Sequence, residues 1–312
     1  MINLLSNTVF TVLNKNNYGY ISPSDFNLFA KQAQLDIFEN YFVQYNQAIN
    51  RENTRQSGTD YADDKKGIEE SIDLFSVSNF LTHSSANTFF LPSPTTTGDD
   101  YFLLNKVLCY TSELSSGTNT SVSANELVDS SADFVADGIK IGDIVANTTD
   151  NTTAYVVAIS SATALTLSAD IFTATAKDYI VYDATKVVEA EKINHSKITM
   201  LTNSLLTAPS TLFPAYTQQA NLLTVFPSSI DAQGGIYSQY IRYPKDPKWT
   251  YVSLSGGEPS YDPTQSDFQD FEVPIEDETT LVSKILQYAG MSIREIQVVQ
   301  AAGAEEAKQM QK

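Results

Sequence analysis

The composition of the chain changes abruptly at Glu113, and this change constrains the fold more than any other feature. Residues 113–183 contain no proline and few aromatic residues, and they are rich in Ser, Thr, Ala and Val. Short alternating apolar runs recur between turn residues, at 139–145, 153–160, 164–167 and 179–182. This pattern predicts a small antiparallel β-sandwich or barrel.

Helical patterns precede this segment. The first covers residues 3–15, where Leu5, Val9, Val12 and Leu13 share one face. Ser22, Pro23 and Asp25 then form a helix start signal, with Ser22 as N-cap. The helix that follows runs to about Asn53 without Gly or Pro and carries an aromatic stripe.

Shorter elements are predicted up to the composition change. The polar residues 54–67 predict a loop, and residues 68–75 a short helix. Residues 92–100 are rich in turn formers, and 101–110 (YFLLNKVLCY) read as a buried strand. Pairing of 101–110 with 186–192 would make a long hairpin. Its tip would hold the β segment as an insertion, where inserted domains are tolerated best.

The sequence therefore predicts two domains. Residues 1–112 plus 184–312 form a core of helices with a β-hairpin or small sheet, and 113–183 form the inserted domain. The fold class is α+β, with a helical-bundle core and a C-terminal helical tail. This division agrees with a length of 312 residues at about 150 residues per domain.

The C-terminal part of the core continues this alternation of elements. Strands are expected at 222–226 and 236–243, joined by a turn at Gly234-Gly235, and 243–261 should be irregular because of its prolines and glycines. Asp277 is a candidate cap for a helix that ends at Gly290. A last helix starts near Ser292.

The charge excludes several classes of partner. Thirty-seven acids against 19 bases leave −18, and residues 113–183 hold ten of the acids and two lysines. An acidic chain cannot displace counterions from DNA phosphates or bind anionic lipid through a basic face. No apolar run reaches the length of a membrane span, and the N-terminus lacks the basic region of a signal peptide. We expect no membrane partner.

The reactive side chains are sparse, so we expect no enzyme, no cofactor and no metal. Cys109 lies in an apolar run, and His83 and His195 lack an evident catalytic partner. Residues 14–25 have glycine where a calcium loop needs it but a single carboxylate at Asp25. We interpret them as a loop between two helices.

The candidate binding residues are interface candidates. Trp249 lies in the proline-stiffened run that begins at Tyr243, and Trp and Tyr dominate binding hot spots. Two interpretations stay open for Trp249: a loop folded over the protein's own core, or an interface anchor. The C-terminal tail has few apolar anchors for a core, which indicates a partner-seeking helix; its candidate residues are Ile293, Ile296, Val299 and Met310.

The order of segments resembles a family of structural proteins. The matching pieces are Gly19–Asn27, Lys197–Leu201, Leu206–Ser210, Tyr243–Trp249, Glu278–Gly290 and Val298–Ala302. They look like neck or head-to-tail connector ring proteins of tailed bacteriophages of the crAss-like or podovirus-like kind. The stretch 127–172 resembles a β-module that recurs in phage particle proteins.

The resemblance implies a virion protein, made in the bacterial cytoplasm, that forms a ring of commonly twelve copies. Such a ring joins the portal protein to neighbouring neck and tail proteins, and double-stranded DNA passes through it without specific binding. A tail-hub or tail-tube component is the alternative within the particle. A host-surface-binding module centred on 113–183, or a cell-wall hydrolase, would be a different class.

Overall fold

The computed structural model describes residues 1–14, 21–54, 62–293, 300 and 303–304. The fold class is α+β, as predicted, with 28% of the residues helical and 32% in strands. The chain divides into two compact units. Unit 1 is Met1–Phe75 with Tyr243–Lys312, and unit 2 is Ser76–Arg242. The predicted insertion lies inside unit 2.

Helices dominate unit 1. The helices of the whole described chain are α1 (Ile2–Asn14), α2 (Pro23–Thr54), α3 (Ala62–Asp73), α4 (His195–Thr202) and α5 (Glu278–Ile293), with a 3₁₀ turn at Ile275–Asp277 before α5. All but α4 belong to unit 1. The predicted helices α1 and α2 are confirmed, although Val12 lies on the exposed face of α1.

The start of α2 is a capping box of the predicted kind. The Ser22 hydroxyl accepts the Asp25 backbone N–H at 3.2 Å and lies 2.7 Å from the Asp25 carboxylate. From there, Phe26, Ala33 and Phe38 are buried at the spacing of one helix face. The aromatic stripe is therefore the inner face of α2.

Aromatic packing and polar links join α2 to the other elements of unit 1. The ring of Phe38 lies 5.0 Å from that of Phe75. Tyr41 donates to Asp277 at the start of α5, and Tyr288 donates to Asp36 of α2. Burial raises the pKa of Asp277, and the neighbouring Glu276 raises it further, against the Tyr41 hydrogen bond.

Three predictions for unit 1 are wrong in their bounds. Helix α3 begins at Ala62, inside the predicted loop 54–67, because an Asp-rich first turn suits a helix N-terminus. Helix α5 runs through Gly290 to Ile293, since its buried Leu281, Ile285 and Ala289 face keeps packing. The irregular stretch 243–261 contains a hairpin, β17 (Tyr251–Ser253) with β18 (Pro259–Tyr261).

Strands dominate unit 2. They are β1 (Ser76–Phe80), β2 (His83–Ser85), β3 (Thr88–Phe90), β4 (Tyr101–Tyr110), β5 (Glu113–Thr118), β6 (Ser121–Ser123), β7 (Glu126–Val128), β8 (Ile144–Asn147), β9 (Thr152–Ser161), β10 (Ala164–Leu167), β11 (Asp178–Tyr182), β12 (Val187–Glu189), β13 (Glu191–Lys192), β14 (Ala215–Gln219), β15 (Leu222–Phe226) and β16 (Ile236–Arg242). Strands β1–β3 were not predicted.

The predicted pairing of 101–110 with 186–192 is present in part, at one edge of a four-stranded sheet ordered β1-β16-β4-β12: residues 187–189 pair with β4, whereas 191–192 pair with β14. Strand β12 pairs antiparallel with β4, Val187 opposite Tyr110. The prediction that 101–110 form a buried strand is only partly correct. Val107 and Cys109 of β4 are buried, whereas Leu103 is half exposed. Burial alternates only near the end of β4, where Val107 and Cys109 face the core; a register shift against β16 separates them from Leu103 and turns Leu103 out of that core.

Strand β15 belongs to a second sheet, ordered β13-β14-β15-β3-β2. The predicted strands 222–226 and 236–243 and the turn at Gly234-Gly235 are present, but β15 and β16 lie in different sheets and do not pair with each other. The two sheets share one core, in which Leu223 and Val225 of β15 pack with Val107 of β4 and Ile236 of β16.

Residues 113–182 form a seven-stranded sheet ordered β5-β11-β8-β9-β10-β7-β6, with antiparallel pairing throughout. We call this segment the β-module. Leu127 near one end of the strand order and Val181 near the other belong to the same core. The sheet therefore curves around its own apolar side chains, among which Phe134 and Phe172 are fully buried.

The β-module packs against the four-stranded sheet. Ile144, Ala146 and Tyr182 of the β-module cluster with Phe80 of β1. Gly234, just before β16, has φ +81°, and a Cβ there would lie 2.6 Å from that of Ala146. Glycine is thus required at Gly234 both by the backbone and by the close approach.

Candidate interaction site

The described residues hold no group of three or more His, Cys, Asp and Glu side chains that could bind a metal ion. Cys109 is buried in β4, and burial raises the pKa of its thiol to about 12, so it is not a reactive thiolate. His195 is exposed at the first position of α4 rather than at a strand end. His83 contacts the Ala86 carbonyl at 2.7 Å.

Half of the candidate calcium loop 14–25, residues 15–20, lies outside the described residues. Its one carboxylate, Asp25, hydrogen-bonds to Ser22 in the α2 cap. Helix α2 thus accounts for Asp25, in line with its interpretation as part of a loop between helices.

An acidic groove of about 480 Å³ lies in the β-module, lined by Glu113, Asp129, Asp133 and Asp137. Asp129 accepts the Ser131 N–H at 2.9 Å and the Tyr179 hydroxyl at 2.8 Å. Burial would raise the pKa of Asp129, but these hydrogen bonds lower it. The Asp129 carboxylate thus links the turn at Ser131 to Tyr179 of β11, and its role is structural.

Other carboxylates of the β-module do the same. Asp133 accepts the Ala136 N–H at 3.0 Å, and Asp143 accepts those of Lys140 at 2.7 Å and Ala184 at 3.1 Å. Much of the acidity of the β-module therefore belongs to its turns, where Asp side chains replace backbone acceptors.

Trp249, the leading interface candidate, is 5% exposed within unit 1. Its ring packs between Phe10, at 6.1 Å, and Tyr251, at 5.7 Å, and its indole N–H donates to Asn3 Oδ1 at 3.3 Å. The backbone N–H of Trp249 donates to Asn27 Oδ1 at 2.8 Å. The burial agrees with a loop folded over the protein's own core, and a role as interface anchor stays a prediction.

The other interface candidates stay predictions as well. Tyr243 is partly exposed, and its ring lies 5.9 Å from that of Phe38. Ile293 is the last residue of α5. Ile296, Val299 and Met310 lie outside the described residues.

The most exposed apolar surface lies where the sequence had indicated no site. We call residues Met200–Phe213 the apolar arm; it follows most of α4 and precedes β14. Leu205 and Leu206 are 103% and 97% exposed, and Met200, Leu212 and Phe213 are each more than two-thirds exposed. Monomeric proteins seldom expose apolar side chains in such a group.

The apolar arm has a defined conformation. The Ala208 N–H donates to the Ser204 carbonyl at 2.9 Å, and Ser210 and Phe213 exchange two backbone hydrogen bonds at 3.0 and 3.2 Å. Pro209 and Pro214 restrict the chain further. Its apolar side chains are therefore held out in fixed turns.

A groove of about 720 Å³ runs beside the apolar arm. Its lining includes Leu201, Leu206 and Phe213 and the charged residues Glu191, Lys192 and Lys197. A signal for this site was present in the sequence: Lys192–Ile230 contain no acidic residue, in a chain with 37. Charge, rather than hydropathy, marks the segment.

Comparison with known proteins adds no assignment: neither a family model nor a curated protein sequence matches the chain. Among the described residues, no helix is long and apolar enough to cross a bilayer. The function proposed next rests on the geometry above and on the resemblance of the segment order.

Proposed function

We propose that the protein is a structural component of a tailed-bacteriophage particle that forms a ring in the neck. The ring would join the portal protein to the tail and let genomic DNA pass. The observation that carries the proposal is the apolar arm, because exposed apolar side chains on hydrogen-bonded turns are typical of an assembly surface.

In this proposal the core comprises residues 1–112 and 184–312, with the helices as a bundle. The β-module would be an inserted sandwich or partly open barrel. Two observations support an insertion: β4 and β12 lie side by side where residues 113–183 leave and rejoin the core, and the β-module has its own apolar core. The C-terminal tail would dock on the portal.

The charge is compatible with surrounding DNA. Twelve copies at −18 each would carry −216. Like charge on the ring lining would keep phosphates from adhering, the reverse of a counterion-releasing groove. A ring with a basic lining would contradict this part of the proposal.

The test is to locate the protein in particles of the phage that encodes it. Gold-conjugated antibody against the chain should label the junction of head and tail. Label at the tail tip would favour a tail hub, label along the tail a tail tube, and label on peripheral fibres a host-surface module. Particles without label would overturn the proposal.

A cell-wall hydrolase is the alternative from another class. Hydrolysis of glycan would need two carboxylates that flank a substrate cleft. Two of the four carboxylates that line the groove of the β-module, Asp129 and Asp133, instead accept backbone N–H groups in turns. No observation favours this alternative.

A further inference from the structure

The apolar arm presents two different apolar sides. Leu201, Leu206 and Phe213 face the groove and form part of its wall. Met200, Leu205 and Leu212 are exposed but, within the fully described stretch 76–242, are not among the residues that line the groove. We call these three residues the outer side of the arm. One short segment thus carries both an exposed apolar surface and part of the lining of a groove that could bind such a surface.

We propose that the groove beside the apolar arm binds a second copy of this chain, and that the outer side of the second copy's arm is the part that enters. The inference rests on the proposed ring, for which it names the contact between subunits. The contact joins different surfaces of the two copies, so each copy can bind one neighbour through its arm and another through its groove.

Charge favours a second copy as the occupant. Two chains of −18 repel each other, so copies of this protein can approach closely only through surfaces poor in carboxylates. The apolar arm lies in the acid-free stretch Lys192–Ile230, and Lys192 and Lys197 at the groove offset Glu189 and Glu191 there. The arm and the groove of a second copy therefore meet without net repulsion.

The size of the apolar surface also fits a contact between subunits. Burying one large aliphatic side chain removes on the order of 100 Å² of apolar surface from water. The five most exposed side chains of the apolar arm then present roughly 500 Å². A stable interface buries about 1,600 Å² in total, a little over half of it apolar. The arm supplies more than half of that apolar share, and the groove floor adds to it.

The geometry also decides the type of symmetry. A contact between two different surfaces is head-to-tail, and it generates a ring when the rotation between copies closes. A contact of one surface with itself would stop at a dimer. The separation of the outer side from the groove wall therefore predicts assemblies larger than two.

The experiment uses the full chain and native mass spectrometry, with sedimentation velocity as a second measure. An arm variant, Leu205→Glu with Leu212→Glu, places charge on the outer side. A groove variant, Leu206→Glu with Phe213→Glu, places charge on the wall. Wild type should form closed assemblies above a dimer, and each variant should associate about 100-fold more weakly, since each loses two anchors.

Mixing the two variants is the decisive step. The groove variant keeps an intact arm and the arm variant keeps an intact groove, so one contact can form between them. The mixture should give one-to-one pairs that neither variant gives alone, and no larger assembly. Assembly of the arm variant at the wild-type level would overturn the inference.

A matched control carries the same charge change elsewhere. Val135→Glu with Ile141→Glu converts two exposed apolar residues of the β-module, which are 61% and 71% exposed. This variant should assemble as wild type does, and loss of its assembly would contradict the inference. Circular dichroism and thermal unfolding verify that all variants fold.

The remaining outcomes separate this inference from the proposed function. If the wild-type chain stays monomeric at the highest concentration measured, the inference is overturned. Gold label at the neck would in that case still support the ring. Wild-type chain that remains monomeric but binds phosphatidylcholine vesicles through the arm also overturns it. Assembly through the arm with no label on particles sustains the inference and overturns the proposed function.

Discussion

The β-module and the stretch Lys192–Ile230 lie in the same unit and are both rich in Ser and Thr, yet they use their side chains in opposite ways. The β-module carries ten acids with residue 183 included and buries most of its large apolar residues, although Val135 and Ile141 are exposed. The second stretch carries no acid and holds five large apolar side chains out in the apolar arm.

The difference shows what carboxylates do in this protein. In the β-module they accept backbone hydrogen bonds in turns, as Asp133 and Asp143 do, and keep the surface charged. In the apolar arm, which holds the most exposed apolar side chains of this unit, carboxylates are absent. Stability should therefore depend on the β-module, and association on the apolar arm. The predictions below test this division, beginning with the largest effect.

The first prediction concerns the core of the β-module. Phe134 is fully buried, and its ring lies 6.0 Å from that of Tyr179. Phe134→Ala should lower the stability of the β-module by about 3–5 kcal/mol, because it removes buried surface and leaves a cavity. Hydrogen exchange of the β8, β9 and β11 amides measures this locally.

The neighbouring residue provides the control. Val135 is 61% exposed, and Val135→Ala should change the same exchange free energies by less than about 0.5 kcal/mol. The single tryptophan, Trp249, lies in unit 1, so its fluorescence reports on that unit separately. If Phe134→Ala and Val135→Ala changed the exchange free energies equally, the distinction between core and surface in the β-module would be wrong.

The second prediction concerns the hydrogen bond between Asp129 and Tyr179. A Cβ on Gly117 would lie 2.8 Å from Asp129 Oδ2 and 2.9 Å from the Tyr179 hydroxyl, so Gly117→Ala must displace one of them. Losing a buried hydrogen bond to a charged group costs about 2 kcal/mol, which denaturant unfolding measures.

A second glycine gives the matched control. Gly67 lies in α3, and a Cβ there would meet nothing within 4 Å. Gly67→Ala should stabilise by about 0.5–1 kcal/mol, since alanine favours the helix and restricts the unfolded chain. If Gly67→Ala lowered the free energy of unfolding as much as Gly117→Ala does, the effect at Gly117 could not be assigned to displacement of Asp129 or Tyr179.

The third prediction concerns pH. The pKa of Asp129 is lowered in the folded protein from its ordinary value of 3.8 by its hydrogen bonds, in spite of burial. The ionised Asp129 therefore stabilises the fold at pH values above its pKa in the unfolded chain. This stabilisation is lost as the pH falls through its lower pKa in the folded protein. The wild-type β-module should lose stability below about pH 4.

Asp129→Asn tests this assignment. The variant cannot be protonated there, so its stability should be lower at pH 7 but should fall less steeply in acid. Unfolding in urea at a series of pH values measures the slope. A wild-type slope in the variant would assign the acid sensitivity to other carboxylates, of which Asp150 and Asp183 also have lowered pKa values.

Local signals predicted much of this fold. The capping residues Ser22 and Asp25 and the aromatic stripe placed α2, because a helix start and a helix face are encoded by neighbours in sequence. Four of the seven strands of the β-module, β8–β11, followed from alternation and turns; β5–β7 did not, and β8 begins at Ile144 rather than at Ile139. The pairing of β4 with β12 followed from the composition break between them.

Long-range packing explains what could not be predicted. Gly290 is a common helix end, but the buried face of α5 carries the helix past it. Strands β1–β3 are short, and β1 pairs with β16 and β3 with β15 far along the chain, so their local signal is weak. The apolar arm was missed because exposed and buried leucines look alike in a sequence, and only the absence of acids sets it apart.

The smallest expected effect is the sharpest test of the comparison. Leu205 has no buried surface to lose, so Leu205→Ala together with Leu212→Ala should change the free energy of unfolding of the monomer by less than about 0.5 kcal/mol. Unfolding must be followed at concentrations where the chain is monomeric, because assembly would otherwise add to apparent stability. A loss of 2 kcal/mol or more, as large as the cost of a buried group, would show that the apolar arm packs on its own unit. The contrast with the β-module would then fail, since both regions would serve the fold. An unchanged monomer with weakened association would instead assign these leucines to contacts with other molecules.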